Sequence, residues 1–144
     1  MKVLFLDFDG VLNIFPDPSR SGDFHRPACI NLEMLLNKVP ELRIVVSSSW
    51  RTLGLEAVRD ILKTNGIDPR KIISITGHEK STSEKDHRGY QVEIWLRENP
   101  EVKEFAIVDD KSDFVPLIHK LVKTDRYVGL TQRNVEKILE ILHE

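Results

Sequence analysis

Asp7-Phe8-Asp9-Gly10 follows directly on the apolar run Val3-Leu4-Phe5-Leu6. Carboxylates leaving a buried strand are costly unless they are paired, hydrogen-bonded or bound to a metal. Residues i and i+2 of a strand share a face, so Asp7 and Asp9 can address one ligand. Gly10 lets the backbone turn sharply behind them. A plain acidic turn, with Asp9-Gly10 as its dipeptide, is the competing reading. Other chemistry-bearing groups sit at comparable places. Ser47-Ser48-Ser49 follows Arg43-Ile44-Val45-Val46, and Asp109-Asp110-Lys111-Ser112-Asp113 follows Phe105-Ala106-Ile107-Val108. Arg88 and Gly89 stand at the mouth of a helical pattern. Hard oxygen ligands without His or Cys at metal-ligand spacing suit Mg²⁺, which takes few protein carboxylates and fills its shell with water and substrate phosphate.

The elements that must position these groups alternate in kind. Continuous apolar runs at residues 3–6, 42–46, 72–75 and 105–108, with a weaker one at 121–122, have the character of strands buried on both faces. Between them lie helical stripes. Leu32, Leu35, Leu36 and Val39 fall at i, i+3, i+4, i+7, as do Val135, Ile138, Leu139 and Leu142. Val58, Ile61 and Leu62 mark a helix that should stop at Asn65-Gly66. Val92, Trp95 and Leu96 mark another, closed by Asn99-Pro100, and Thr131 is a natural N-cap for the last. The order strand, helix, strand, helix predicts an α/β fold with a mostly parallel central sheet and helices on both faces. Residues 13–26 and 76–88 lack periodicity and follow strands, which places both at the sheet's carboxyl edge, where open α/β sheets bind ligands. Both are too short to form a cap, so the active face should be open.

Length and composition bound the reading. A chain of 144 residues fits one domain, spanning residues 1–144. With 40% hydrophobic and 31% charged residues it can build a core and is not a disordered tail. Lys and Arg number 21 against 23 Asp and Glu, for a net charge of -2, which argues against a basic nucleic-acid coat. The lone Cys29 excludes a disulfide framework and points to no zinc site. No apolar run nears the roughly 20 residues that span a bilayer, and the N-terminal stretch, broken by Asp7, does not look secretory. A cytoplasmic protein with no membrane partner and no obligate protein partner is the expectation.

The ordered set resembles the haloacid dehalogenase-like (HAD) phosphohydrolase superfamily at its four motifs: Asp7-Phe8-Asp9-Gly10-Val11, Ser47, Arg88-Gly89, and the acids from Asp109 to Asp113. The segments FLDFDGVLN, IVVSSSWR, RGYQVEIWL, VDDKSDF and GLT are similar to one capless branch, the HAD domains of Swiss Army Knife RNA repair proteins. That resemblance implies a Rossmannoid three-layer sandwich without a cap domain and a Mg²⁺-dependent phosphomonoesterase working through an aspartyl-phosphate. Asp7 would be the nucleophile and Asp9 the general acid and base. The metal would be held by the Asp7 carboxylate, the Asp9 carbonyl and either Asp109 or Asp110, with Asp113 orienting the shell. Substrate phosphate would meet Ser47, Ser48, Gly10 and Arg88. Arg88 stands where the superfamily usually has Lys, so a planar fork replaces a point charge, and Lys80 or Lys85 could fill the same role. The open site admits a large phosphorylated substrate, and the resemblance suggests phosphorylated nucleic-acid ends; a phosphoprotein or a small phosphorylated metabolite is the alternative.

Other residues read more plainly. Ser49 suits an ordinary loop, Arg51 either a phosphate contact or a surface ion pair, and Cys29 the core. Trp50, beside the serines, suits packing more than stacking on a base. His25 and Arg26 could touch substrate, whereas His78, His87, His119 and His143 suit surface or packing roles. Two other functions share parts of the pattern. A receiver-like phosphoacceptor module would also use an α/β sheet, Mg²⁺ and a phosphorylatable aspartate, but its acceptor belongs after the third strand, where KIIS ends without an acid. A catalytically degenerate interaction domain is the other alternative.

Overall fold

Alternation along the strands sorts the apolar residues into two layers. In β1 (Lys2–Leu6), Leu4 and Leu6 face one core, while Val3 and Phe5 face the other. The same split divides Ile44 and Val46 from Val45 in β2 (Leu42–Val46), and Ala106 and Val108 from Ile107 in β4 (Glu104–Asp109). Each strand is therefore buried on both sides, which explains why the runs are continuously apolar. The computed structural model describes residues 1–77 and 88–143.

Five strands form a parallel sheet in the order β3-β2-β1-β4-β5, with β3 at Ile72–Ile75 and β5 at Leu121–Lys123. Helices α1 (Arg26–Lys38), α2 (Leu55–Thr64) and α4 (Gln132–Ile141) bury Leu32, Leu35, Val58, Leu62, Val135 and Ile138 in the larger core. Helix α3 (Arg88–Glu98) buries Val92 and Trp95 in the smaller core, where Phe114 from the β4–β5 connection joins it. Right-handed crossovers dictate this division. The chain moves outward from β1 to β2 to β3 over one face, then jumps back past β1 to β4 and β5, and its crossovers change face with that reversal.

All the strands and helical stripes expected from the sequence are present. Thr131 caps α4, its hydroxyl accepting from the Asn134 N–H at 3.1 Å, and Asn134 returns a bond to the Thr131 N–H at 2.9 Å. Among the described residues there is no cap domain, and no helix is long and apolar enough to cross a membrane. The reversal of strand order lies between β1 and β4. That switch point is where an open parallel sheet leaves a crevice at its carboxyl edge.

Candidate active site

Main-chain pairing continues one residue beyond β1 on both sides. The Asp7 N–H donates to Val108 O at 3.1 Å, and the Ser47 N–H donates to Leu6 O at 2.9 Å. Asp7 is thereby fixed at the switch point, with Ser47 on the neighbouring strand end. Its carboxyl group is only 1% exposed. Oδ1 accepts from the Phe8 N–H at 2.8 Å and faces Arg88 Nη1 at 3.0 Å, whereas Oδ2 is buried with no hydrogen-bond partner. The Ser47 hydroxyl is likewise buried and unpartnered. Buried polar atoms are rarely left so, and two on adjacent strand ends point to a ligand that would satisfy them.

Asp109 ends β4, and Asp110 follows it. One oxygen from each of Asp7, Asp109 and Asp110 lies within 4.8 Å of the others, and all three residues are buried. Burial first, then the Asp109 charge, pushes the Asp7 carboxyl well above its ordinary range, against the pull of Arg88. Burial also raises Asp109, although Arg88 and the Lys111 N–H oppose it. Arg88 supplies the compensating charge. Its Nη1 sits 2.7 Å from Asp109 Oδ2 as well as 3.0 Å from Asp7 Oδ1. Burial disfavours the guanidinium, but the Asp7 and Asp109 charges outweigh that and push its affinity for the proton up. Gly89 explains how Arg88 gets there. A Cβ at Gly89 would come 2.9 Å from Phe114 Cα, so only glycine lets α3 begin hard against the loop after β4.

The two adjacent acids are held differently. Asp109 is engaged at both oxygens, Oδ1 accepting from the Lys111 N–H at 3.0 Å and Oδ2 from Arg88. Asp110 pairs through Oδ2 with Arg126 Nη2 at 3.2 Å, and the Arg126 guanidinium lies 4.9 Å from the centre of the Phe15 ring. Gly10 makes room for Asp110: with φ +84° and a would-be Cβ 2.4 Å from Asp110 Cγ, the position excludes any side chain. The Gly10 N–H donates to Asn13 O at 2.7 Å, and its carbonyl accepts from Thr124 Oγ1 at 2.7 Å. Its observed part is thus to seat the acid beside it. Three buried carboxylates, a buried unpartnered carboxylate oxygen and no soft ligand fit a small hard cation such as Mg²⁺.

Asp9 occupies different surroundings. It is half-buried and stands outside the acidic triad. The Trp50 indole N–H reaches both of its oxygens at 3.1 Å, and Asn13 Nδ2 donates to Oδ1 at 2.9 Å. Asn13 is itself oriented by Ser19, whose N–H donates to Asn13 Oδ1 at 2.8 Å and whose carbonyl accepts from Nδ2 at 2.8 Å.

The family model described as the HAD domain in Swiss Army Knife RNA repair proteins matches residues 3–135. This chain belongs to that family. A solved structure, the HAD domain of the effector protein Lem4 from Legionella pneumophila, superposes on the HAD domain described here with a TM-score of 0.65. The two are 17% identical, and the match covers 98% of this chain and 95% of that one, which shows a shared fold. No curated protein matches the sequence.

The HAD domain thus brings together Asp7, Ser47, Arg88, Asp109 and Asp110, with Asp9 beside them. Ser48 is placed otherwise: its buried hydroxyl accepts from the Trp50 N–H at 3.2 Å and starts the 3-10 turn Ser49–Leu53. Arg51 Nη1 donates to Ser48 O at 3.1 Å, so this side chain stays at the same edge. The Asp113 carbonyl accepts from the Gly89 N–H at 3.3 Å, tying the last motif to the third. His25 precedes α1 as its N-cap residue, and Cys29 is buried in the core. Lys80, Lys85, His78 and His87 lie outside the described residues. Three side chains that touch the site are absent from the sequence reading: Trp50 as a donor, Asn13 and Arg126. Trp50 shares its segment with the serines, which was the available signal. Asn13 closes the segment FLDFDGVLN, which was its signal, whereas Arg126 carried none, since its partner Asp110 is distant in sequence.

Proposed function

We propose that this HAD domain is a Mg²⁺-dependent phosphomonoesterase that forms an aspartyl-phosphate on Asp7. The observation that carries the reading is the buried, unpartnered Asp7 Oδ2 at the switch point, within the acidic triad and next to the equally unpartnered Ser47 hydroxyl. Asp7 Oδ2 attacks phosphorus, the bond to the leaving oxygen breaks, and Asp9 gives that oxygen a proton. Water then attacks the phosphorus of the aspartyl-phosphate and Asp9 takes its proton, which releases inorganic phosphate and restores Asp7. The Ser47 hydroxyl donates to a non-transferring phosphate oxygen. Arg88 holds Asp7 against Asp109 and offers its remaining N–H groups to the phosphate.

Asp7 would hold Mg²⁺ with the Asp9 carbonyl and, of the two acids after β4, Asp110, because Asp109 accepts from an N–H donor at each oxygen whereas Asp110 is engaged at Oδ2. Bound there, Mg²⁺ would supply positive charge to offset the repulsion of nucleophile and phosphate, about 4 kcal/mol per pair of unit charges at 4 Å and an effective dielectric near 20. In this reading Asp109 anchors Arg88.

The absence of a cap among the described residues, together with the family's description, supports a phosphate carried on a large molecule, a phosphorylated nucleic-acid end being the first to test. The decisive experiment is turnover of phosphate esters and of 3′- and 5′-phosphorylated oligonucleotides with Mg²⁺ and in EDTA, for the wild type and Asp7→Asn. Loss of turnover in Asp7→Asn and in EDTA is expected. Turnover retained by Asp7→Asn rejects the nucleophile, and a phospho-adduct that lasts minutes without turnover replaces the hydrolase with a phosphoacceptor module.

A further inference from the structure

Beyond Asp9 lies an open cleft of about 270 Å³, lined by Asp9, Ser19, Arg20, Trp50, Thr52 and Leu53 among others. It belongs to the loop after β1 and the turn after β2, and of the site's acids only Asp9 lines it. The Trp50 indole is both a wall of this cleft and the donor that straddles the Asp9 carboxyl group.

The indole is fixed from three directions. Its ring packs edge-on against Phe24 at 5.4 Å and Phe8 at 6.1 Å, and those two rings meet each other at 5.2 Å. Its main-chain N–H is tied to the Ser48 hydroxyl. Ring and backbone are thus both anchored, so the N–H has one direction. That direction is Asp9.

The hydrogen bonds distinguish the two Asp9 oxygens. Oδ1 accepts from Asn13 Nδ2 as well as from the indole, whereas among the described residues Oδ2 accepts from the indole alone. Oδ2 is therefore the oxygen with room for a proton. Indole is also a neutral, donor-only group. It can bond a carboxyl group in either protonation state, whereas a cation in its place would hold the carboxylate ionised. A residue that must give up a proton and then take one needs that kind of support.

We propose that Trp50 is the positioning residue of the general acid and that the cleft it walls receives the leaving group. This rests on the phosphomonoesterase reading above. Trp50 acts through Asp9 and fixes the line from Asp9 Oδ2 to the leaving oxygen. The chemical class it serves is an alcohol that departs poorly as an alkoxide, because only such a group needs the proton while the P–O bond breaks.

The test compares two esters that differ in this need. 4-Nitrophenyl phosphate releases a phenolate that leaves without protonation, and butyl phosphate releases an alkoxide that does not. In Trp50→Phe the ring remains and the N–H is gone. With Mg²⁺ present, kcat/KM should fall about 10–100-fold for butyl phosphate, a large part of what a positioned acid contributes, and stay within about threefold for the nitrophenyl ester. Should Trp50→Phe not fold, 3-benzothienylalanine at position 50 keeps the bicyclic shape, replaces the N–H by sulfur and should give the same split. Equal losses on both esters, or no loss on butyl phosphate, overturn the proposal. If only the phosphorylated oligonucleotides turn over, the same loss in Trp50→Phe is read on them, because their leaving group is an alkoxide. A wild-type chain that turns over neither these esters nor the oligonucleotides fails the phosphomonoesterase reading itself and this inference with it. That pattern differs from an active wild type whose variant shows no split.

Discussion

Asp7 and Asp9 leave the same strand two residues apart and end in opposite surroundings. Asp7 is sealed, faces Arg88, and shares its pocket with Asp109 and Asp110. Asp9 is half-buried, touches only neutral donors and opens on a cleft. Two carboxyl groups of identical chemistry are thereby prepared for different work. The first is held among charges, where a cation and a phosphate can be gathered; the second is held by an indole and an amide that tolerate either protonation state. Division of labour between paired acids follows from what surrounds each one.

The sharpest way to break that comparison is to remove each acid in turn. Asp7→Asn should lower turnover of every ester by about 10⁴-fold or more, as loss of a nucleophile does. Asp9→Asn should cost about 10²–10⁴-fold on an alkyl ester, the range for a general acid and base. On 4-nitrophenyl phosphate it should leave formation of the phospho-enzyme much less affected. Rapid mixing, which separates phospho-enzyme formation from its hydrolysis, reads both. If the two variants lose the same steps on the same esters, the assigned roles are wrong.

A second contrast separates the neighbouring acids after β4. Asp110 has Gly10 packed against it and is held by an arginine at the rim, while Asp109 is committed at both oxygens. Asp110→Asn should weaken Mg²⁺ binding more than about 100-fold, and Asp109→Asn about tenfold, the effect of losing a group that supports ligands from behind. Isothermal titration with MgCl₂ checks this without turnover. The reverse order would make Asp109 the ligand.

Most of the frame was legible because apolar runs and helical stripes fix the topology, and the topology fixes where strand ends meet. Asp7, Ser47 and Asp109 needed no more than that, since each is the residue at or next to a strand terminus. Arg88 was nameable for the same reason, and Gly89 now shows why it can come so close. What the sequence did not reveal depends on side-chain direction. Trp50 suits packing as a residue type, and it does pack on Phe8 and Phe24, yet its N–H is turned to Asp9. Ser48 suits phosphate binding by position, and its hydroxyl also accepts from the Trp50 N–H at the start of a turn. That Arg88 engages Asp109 and not Asp110 was equally hidden, a contact between residues 21 apart in sequence.

The smallest expected effect sharpens the comparison on stability alone. Burial raises the proton affinity of Asp7 and Asp109 when no metal is bound. From the ordinary carboxylate range, about pH 4, up to their raised values, the folded chain therefore holds more protons at these sites than the unfolded chain. The slope of unfolding free energy with pH is set by protons bound unfolded minus folded, so it is negative for this pair. Their contribution is fully present near pH 4 and is lost as pH rises through the raised values. Each tenfold elevation of proton affinity is worth about 1.4 kcal/mol, or roughly 4–5 °C in a chain of this size. Other acids, such as Asp68 beside Arg70, titrate in the opposite sense, so the difference between wild type and Asp7→Asn isolates the effect. In EDTA, Asp7→Asn should melt a few degrees above the wild type near pH 7, with the gap closing toward pH 4 and shrinking when Mg²⁺ is added. Among the described residues the three carboxylates outnumber the two guanidiniums paired with them, so removing one negative charge relieves the cluster in the absence of the ion. A gap independent of pH would mean that the Asp7 charge is already neutralised by Arg88, leaving the site without a strong electrostatic demand for a cation.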